Sequence, residues 1–362
     1  MQRRDFIRNA AAAAGVAAGT IAAPAIAQSN PTINWRLASS FPKSLDTIFG
    51  AAEILAKRVS QLTQGKFNIR AFPGGELVPA LQVLDAVQAG TVEIGHSASY
   101  YYFGKDPTFA FDTAIPFGLT SRQQTAWMEQ GGGKQLMRDF FREYGVVNLL
   151  GGNTGCQMGG WFRREVNTPK DLSGLKMRVG GFAGRVMQRL GVVPQQIAGG
   201  DIYPALEKGT IDAAEWIGPY DDEKLGFNRV APNYYAPGWW ETGAQLSFYV
   251  NAKEWEKLPK EYQAALEVAS YEAHVTMQAM YDARNPTALA RLLKEGVKLR
   301  YFSKSILDAC HKAALEVFDE ESQKNPRFKK VFEPWQRFQR DQNQWSMVAE
   351  NHIQNYLIGH AK

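Results

Sequence analysis

One pattern occurs twice in this chain and limits its folding more than any other feature. Ala86-Val87-Gln88-Ala89-Gly90-Thr91-Val92-Glu93-Ile94 matches Ala205-Leu206-Glu207-Lys208-Gly209-Thr210-Ile211-Asp212-Ala213 in character at nearly every position. Each copy reads as a helix end, a glycine able to close it in the left-handed region, then threonine and a strand. Each also follows its own strand–helix unit. Two lobes of similar topology are the economical explanation.

Around the first copy the periodicity is clear. Residues 34–38 read as a strand, and Ser44 caps a helix with apolar Leu45, Ile48, Ala52, Leu55, Val59 and Leu62, closed by Gly65. Residues 67–72 alternate as a strand, a helix runs from about 79 to 88, and a strand covers 92–97. The order β-α-β-α-β predicts an α/β domain with a largely parallel sheet. Residues 146–158 look like a crossing out of this lobe and 243–250 like the return, both extended enough to absorb a hinge rotation. Lobe one then holds 28–150 plus about 251–305, lobe two holds 151–250, and 306–362 form C-terminal helices. Within the helical part, one run spans 262–283, Asn285-Pro286 breaks it, and helices follow at 287–295, 305–321 and 334–357. The tail carries Trp335, Phe338, Trp345 and Ile353 on a polar background, an amphipathic end that packs on its own domain or on a partner.

In open α/β sheets ligands sit beyond the carboxyl ends of the strands. That rule selects 97–102 (Ser-Ala-Ser-Tyr-Tyr-Tyr) in lobe one, and Arg178 and Glu215-Trp216 in lobe two. In residues 175–191 a short apolar strand ends in Arg178, and two glycines turn the chain into a helix with apolar Val186, Met187 and Leu190. A guanidinium beside the N–H groups of a helix start favours an anion, a small carboxylate or phosphate, while pairing with a nearby acid is equally open to it. Tyr100 or Tyr101 can hydrogen-bond a second ligand oxygen, and Asn153 and Gln157 lie on the hinge strand. Glu215 and Glu241 would repel an anionic ligand unless a cation lay between them. Gln157, Glu215, the Trp216 carbonyl and Glu241 form an all-oxygen set suited to Na⁺ or Ca²⁺. The competing account of each acid is a solvated or salt-bridged carboxylate. Trp216, Trp239 and Trp240 either wall a pocket or fill the core.

The first residues are set apart from this fold. Arg3-Arg4-Asp5-Phe6-Ile7 is a twin-arginine pattern, an Ala/Gly-rich apolar run follows, and Ala25-Ile26-Ala27 offers small residues for cleavage. Residues 1–27 therefore read as an export signal leading to the periplasm. The net charge of +5 includes +2 from this leader, which leaves +3 for the mature chain. No Lys/Arg block marks a nucleic-acid or membrane footprint. Cys156 and Cys310 have no metal spacing; in an oxidising compartment they could pair, and two buried thiols are the other reading, which is preferred. Enzyme signatures are poor: Gly95-His96-Ser97-Ala98-Ser99 lacks the last glycine of a nucleophile elbow, and 180–184 fails the dinucleotide spacing. The five histidines form no metal pair, and His96 reads as a satisfied strand residue.

Taken together, Gly174-Leu175-Lys176-Met177-Arg178-Val179, Gly-Thr-Ile-Asp-Ala-Ala-Glu-Trp at 209–216, Gln-Met-Gly-Gly-Trp-Phe at 157–162 and Trp239-Trp240-Glu241-Thr242-Gly243 resemble the solute receptors of TRAP (tripartite ATP-independent periplasmic) transporters. The resemblance spans nearly the whole mature chain. It implies an α/β, two-lobed periplasmic binding protein (a Venus flytrap) with hinge strands and a helical C-terminal extension, and a binding role rather than an enzymatic one. Within the family the chain is most similar to receptors for α-keto and α-hydroxy monocarboxylates, above all those taking pyruvate with sodium. By that resemblance Arg178 clamps the substrate carboxylate, with Tyr100, Tyr101, Asn153, Gln157 and Glu241 as further contacts. Gln157, Glu215 and the Trp216 backbone hold the cation, and Glu241 completes the shell, with Gln245 a close competitor. Sodium or calcium, and keto acid or lactate, stay open. A membrane permease and a homodimer built by exchanging C-terminal helices are the implied partners. A secreted enzyme acting on small carboxylates is the alternative of a different class.

Overall fold

A computed structural model describes residues 30–360. The signal peptide expected at 1–27 lies outside these residues.

Lobe one is built on β1 (Ile33–Ser39), α1 (Ile48–Leu62), β2 (Phe67–Phe72), α2 (Val83–Gln88) and β3 (Ile94–Ser97). Helices α3 (Ala110–Thr113), α4 (Ser121–Gln130) and α5 (Gly133–Glu143) lead to β4 (Val146–Asn153). Lobe two carries β5 (Gly160–Phe162), β6 (Lys176–Arg178), α6 (Gly181–Arg189), β7 (Val193–Gln195), α7 (Gly199–Glu207), β8 (Ala213–Ala214), α8 (Pro219–Leu225) and β9 (Asn233–Ala236). The chain returns through β10 (Gln245–Asn251), α9 (Ala252–Lys257), α10 (Lys260–Lys294) and β11 (Lys298–Tyr301), and ends in α11 (Lys304–Lys324), α12 (Pro326–Val348) and α13 (Glu350–Gly359).

The strand orders are β2-β1-β3-β10-β4 and β11-β9-β5-β8-β6-β7. In each sheet one strand runs against its neighbours: β10 between β3 and β4, and β5 between β8 and β9. These are the strands by which the chain enters each lobe after crossing from the other.

The repeated pattern folds the same way twice. Gly90 and Gly209 both take positive φ (72° and 71°), where a side chain would be strained. Thr91 N–H then donates to the Ala86 carbonyl and Thr210 N–H to that of Ala205, both at 2.9 Å. Glu93 and Asp212 occupy equivalent places, each accepting a backbone N–H from the neighbouring parallel strand, Arg36 at 2.8 Å and Lys176 at 3.0 Å. β3 and β8 each lie between a parallel and an antiparallel partner.

Four boundaries differ from the sequence reading. The first helix starts at Ile48 with Thr47, not Ser44, as its cap residue, because the chain first turns at Leu45, whose N–H donates to the Pro42 carbonyl. Pro286 does not break α10: the helix packs on α1 and β4 in lobe one and on α8 in lobe two, and this burial outweighs the missing hydrogen bond. The last long helix begins at Pro326 behind an Asn325 cap, with Pro334 inside it, and breaks near Ala349. Finally, β11 pairs with β9, so 298–301 belong to the second sheet and not to lobe one. The crossing segments are also shorter than expected, since β4 and β10 are themselves part of the first sheet. What crosses is 154–159 and 237–244, tied together by Gln157 N–H to the Glu241 carbonyl and Gly238 N–H to the Gln157 carbonyl.

The C-terminal helices strap the lobes. α11 packs on α6, α12 on α4 and α5, and a run of rings links Phe182 of lobe two through Phe318 and Phe328 to Phe111 of lobe one. Trp335 is buried in this strap, whereas Trp345, Ile353, Tyr356 and Ile358 are exposed. The cysteines are unpaired, and only Cys310 is buried; Cys156, in the crossing segment, is exposed.

Candidate binding site between the lobes

Arg178 ends β6, and its guanidinium is buried. Nη1 donates to the carboxylate and, at 2.8 Å, to the carbonyl of Glu215, the residue just after β8. Nε donates to the Ile197 carbonyl at 3.2 Å. Nη2 makes only a 3.4 Å contact with the Tyr101 hydroxyl of lobe one. A guanidinium carries five N–H donors. Nη2 is therefore the part left over for a ligand. Of the two fates open to Arg178, the structure shows the pairing with an acid, and Nη2 has only the Tyr101 contact. The adjacent Gly180 N–H also reaches Glu215 Oε1, at 2.8 Å, so the helix-start donors serve this acid first.

Around the pair the polar groups do not balance. Gln157 Oε1, Glu215 Oε2, Glu241 Oε1 and Gln245 Oε1 are buried acceptors without partners. So are the donors Asn153 Nδ2 and Trp216 Nε1. An unpartnered buried polar atom costs about 1–3 kcal/mol, more when charged, so such a concentration marks a place for something else. Arg178 offsets only one of two carboxylates. Burial pushes Glu215 upward, and burial with the neighbouring Glu215 charge pushes Glu241 well above the usual carboxylate range. Held as carboxylates, the two acids need more positive charge than Arg178 brings, and a hard cation would supply it while meeting the partnerless oxygens. The residues thus fit a cation-binding site assembled from two carboxylates, an amide oxygen and backbone. Among the described residues no group of three or more His, Cys, Asp or Glu could hold a metal, so such a site would rest on two carboxylates with amide and backbone oxygens.

Lobe one contributes neutral groups. The Tyr100 hydroxyl donates to Glu241 Oε2 at 3.3 Å, and burial raises both Tyr100 and Tyr101, the latter to about 12, so both stay protonated. The Tyr100 ring fits against a glycine pair: a Cβ on Gly181 would lie 2.5 Å from Tyr100 Cβ, and one on Gly180 2.7 Å from its ring. Gly181 also has a φ of 54°. Ser99, which starts the tyrosine turn, donates to Asp112, a buried carboxylate that also receives Ser247 and Asn148.

The structure brings Tyr100, Tyr101, Arg178, Glu215, Trp216 and Glu241 together, and Gln157 joins through the Glu241 backbone. Asn153 faces Gln245 in the β4–β10 ladder, with Oδ1 accepting from Gly155 N–H. The Gln245 amide is tied to the Asp112 carbonyl, whereas Glu241 touches Tyr100. Trp216 lies under the Arg178 guanidinium at 5.1 Å, while Trp239 stacks on Phe117 and Trp240 meets Phe302, as core rings. His96 is a buried strand residue bonded to the Gly151 carbonyl and held down to about 4 by burial. Sequence reasoning missed Gln196, whose amide bridges the lobes to the Tyr101 carbonyl at 2.9 Å. It also took Gly180-Gly181 only as a turn. A glutamine in a polar loop carries no signal, but two glycines opposite a tyrosine turn could have suggested close packing.

Residues 38–325 match the model of the bacterial extracellular solute-binding proteins of family 7. The chain is 49% identical to a monocarboxylate 2-oxoacid-binding periplasmic protein of Nostoc sp., over 98% of this chain and 99% of that one. A TRAP transporter solute-binding protein from Bordetella bronchiseptica, 56% identical, superposes with a TM-score of 0.91 over 91% of this chain and 98% of that one. Its crystals contain a mixed-occupancy dimer with copurified calcium and picolinate in one site. A periplasmic TRAP protein from Pseudoalteromonas atlantica, 38% identical over 90% of this chain and 99% of its own, has a TM-score of 0.87 and holds sodium and pyruvate.

Proposed function

The chain belongs to the family 7 extracellular solute-binding proteins, the receptors of TRAP transporters, and we propose that it captures a small 2-oxo monocarboxylate with a cation and delivers it to a membrane permease. The observation that carries this reading is the pairing of a free Arg178 edge with partnerless oxygens of Gln157, Glu215 and Glu241. A carboxylate alone would satisfy the first and worsen the second. Arg178 Nη2, the Tyr101 hydroxyl and Asn153 Nδ2 are the donors for the ligand. Gln157, Glu215, the Trp216 carbonyl and Glu241 are the oxygens for Na⁺ or Ca²⁺, which neutralises them and offers the adjacent carboxylate and oxo oxygens of the acid a chelate. Glu241 is preferred to Gln245 because it already shares the Tyr100 hydroxyl.

No residue pair in the site is arranged as nucleophile and base, so the ligand leaves unchanged. The leader would send the chain through the twin-arginine route to the periplasm. Among the described residues no helix is long and apolar enough to cross a membrane. The exposed apolar residues of α12 and α13 are the surface for a homodimer through C-terminal helices. The deciding experiment is calorimetric titration with pyruvate in sodium, calcium or cation-free buffer, followed by mass analysis of the recovered ligand. Binding that ignores the cation, or a recovered product, would reject the reading.

A further inference from the structure

We infer that Phe41 and Trp216, one ring from each lobe, form a partition that sets the carbon-chain length this site accepts; the inference rests on the 2-oxo acid reading above. Beside the site lies an interlobe cleft of about 650 Å³, lined by Ser40, Pro42 and Gln82 from lobe one and by Gln196, Ile197 and Asp201 from lobe two, among others. Phe41 stands between two of those lining residues, and its carbonyl accepts the N–H of Gly74, another part of the wall, at 3.0 Å. Trp216 backs the opposite wall. Its ring rests so closely on Gly199 that an added Cβ would fall 2.4 Å from it, and Gly199 sits between the lining residues Ala198 and Gly200.

The two rings meet edge to face with centroids 6.4 Å apart, and both are buried. On the far side, the Trp216 ring lies 5.1 Å from the Arg178 guanidinium carbon. Ile197 connects the compartments, since its carbonyl accepts from Arg178 Nε while the residue lines the cleft. A short acid held at Arg178 stays inside the partition. A longer one must displace a ring before its tail gains the room beyond.

The test uses the full mature chain, titrated with pyruvate and with the six-carbon 2-oxohexanoate in the same cation. Phe41→Ala should raise the affinity for the six-carbon acid relative to pyruvate by about tenfold or more, the scale of discrimination a few methylenes allow. Phe41→Leu, which keeps the core filled, should move the ratio the same way by about threefold. Parallel changes for both acids in the Phe41 variants would overturn the partition while leaving the receptor reading intact. A wild-type chain that binds neither acid would overturn both.

Discussion

The two copies of the repeated pattern end in opposite chemistry. β3 and β8 have equivalent neighbours and equivalent glycine turns, yet beyond β3 the chain presents Tyr100 and Tyr101, whereas β6 and β8 deliver Arg178 and Glu215. Lobe two carries the charge and has it paired in advance; lobe one supplies neutral hydroxyls and ring surface. On the proposed reading, the anchor is paired within lobe two, independently of lobe one. The contrast teaches that topology assigns the position of a site, and that the residue following each strand assigns its polarity.

That asymmetry can be broken at its strong end. Arg178→Ala leaves Glu215 buried without its partner, a loss of about 3–5 kcal/mol in such pairs, and should abolish ligand binding in calorimetry. Binding within tenfold of wild type would show that the charge of lobe two is not the anchor. Next comes the seam. Gly181→Ala places a Cβ against Tyr100 in a backbone region unfavourable to side chains, so the lobes close poorly; affinity should fall about tenfold, mainly through a faster off-rate in stopped-flow fluorescence. The neutral lobe should matter less. Tyr100→Phe removes one long hydrogen bond and keeps the ring, and should cost about 1 kcal/mol, roughly fivefold in affinity. A loss equal to that of Arg178→Ala would erase the distinction between the lobes.

The smallest effect concerns stability within lobe two. Asp222 is buried, accepts from Trp161 Nε1 and the Tyr234 hydroxyl, and is pushed by burial from 3.8 to about 7. Between those values the folded chain holds a proton that the unfolded chain has released, so stability declines as pH rises through this window and levels off above it. Asp221, raised to about 6, adds a decline of the same sign. Asp222→Asn should flatten the slope in urea titrations across pH, with ligand affinity at neutral pH little changed.

Much of the fold was legible because the relevant signals are local. Gly90, Thr91, Gly209 and Thr210 read as turns and became turns with matching hydrogen bonds. Arg178 stood out because a charged residue ending an apolar strand needs a reason. Other features depend on contacts distant in sequence. Pro286 stays helical because α10 is buried against elements of both lobes, and β11 joins the second sheet by pairing with a strand far upstream. Neither has a local mark. The site shows the same division: its acids and tyrosines were visible as types at strand ends, while Gln196 and Phe41 matter through what faces them across the cleft.

β10 lies inside the first sheet, between β3 and β4, although it is synthesised after nearly all of the second lobe. Lobe two, apart from its edge strand β11, can complete its ladder from one continuous stretch of chain. Lobe one cannot, since β4 is separated from β3 until β10 slots between them. As the polypeptide emerges, the charged half should mature first, and the neutral half should close around a gap held open for its last inner strand.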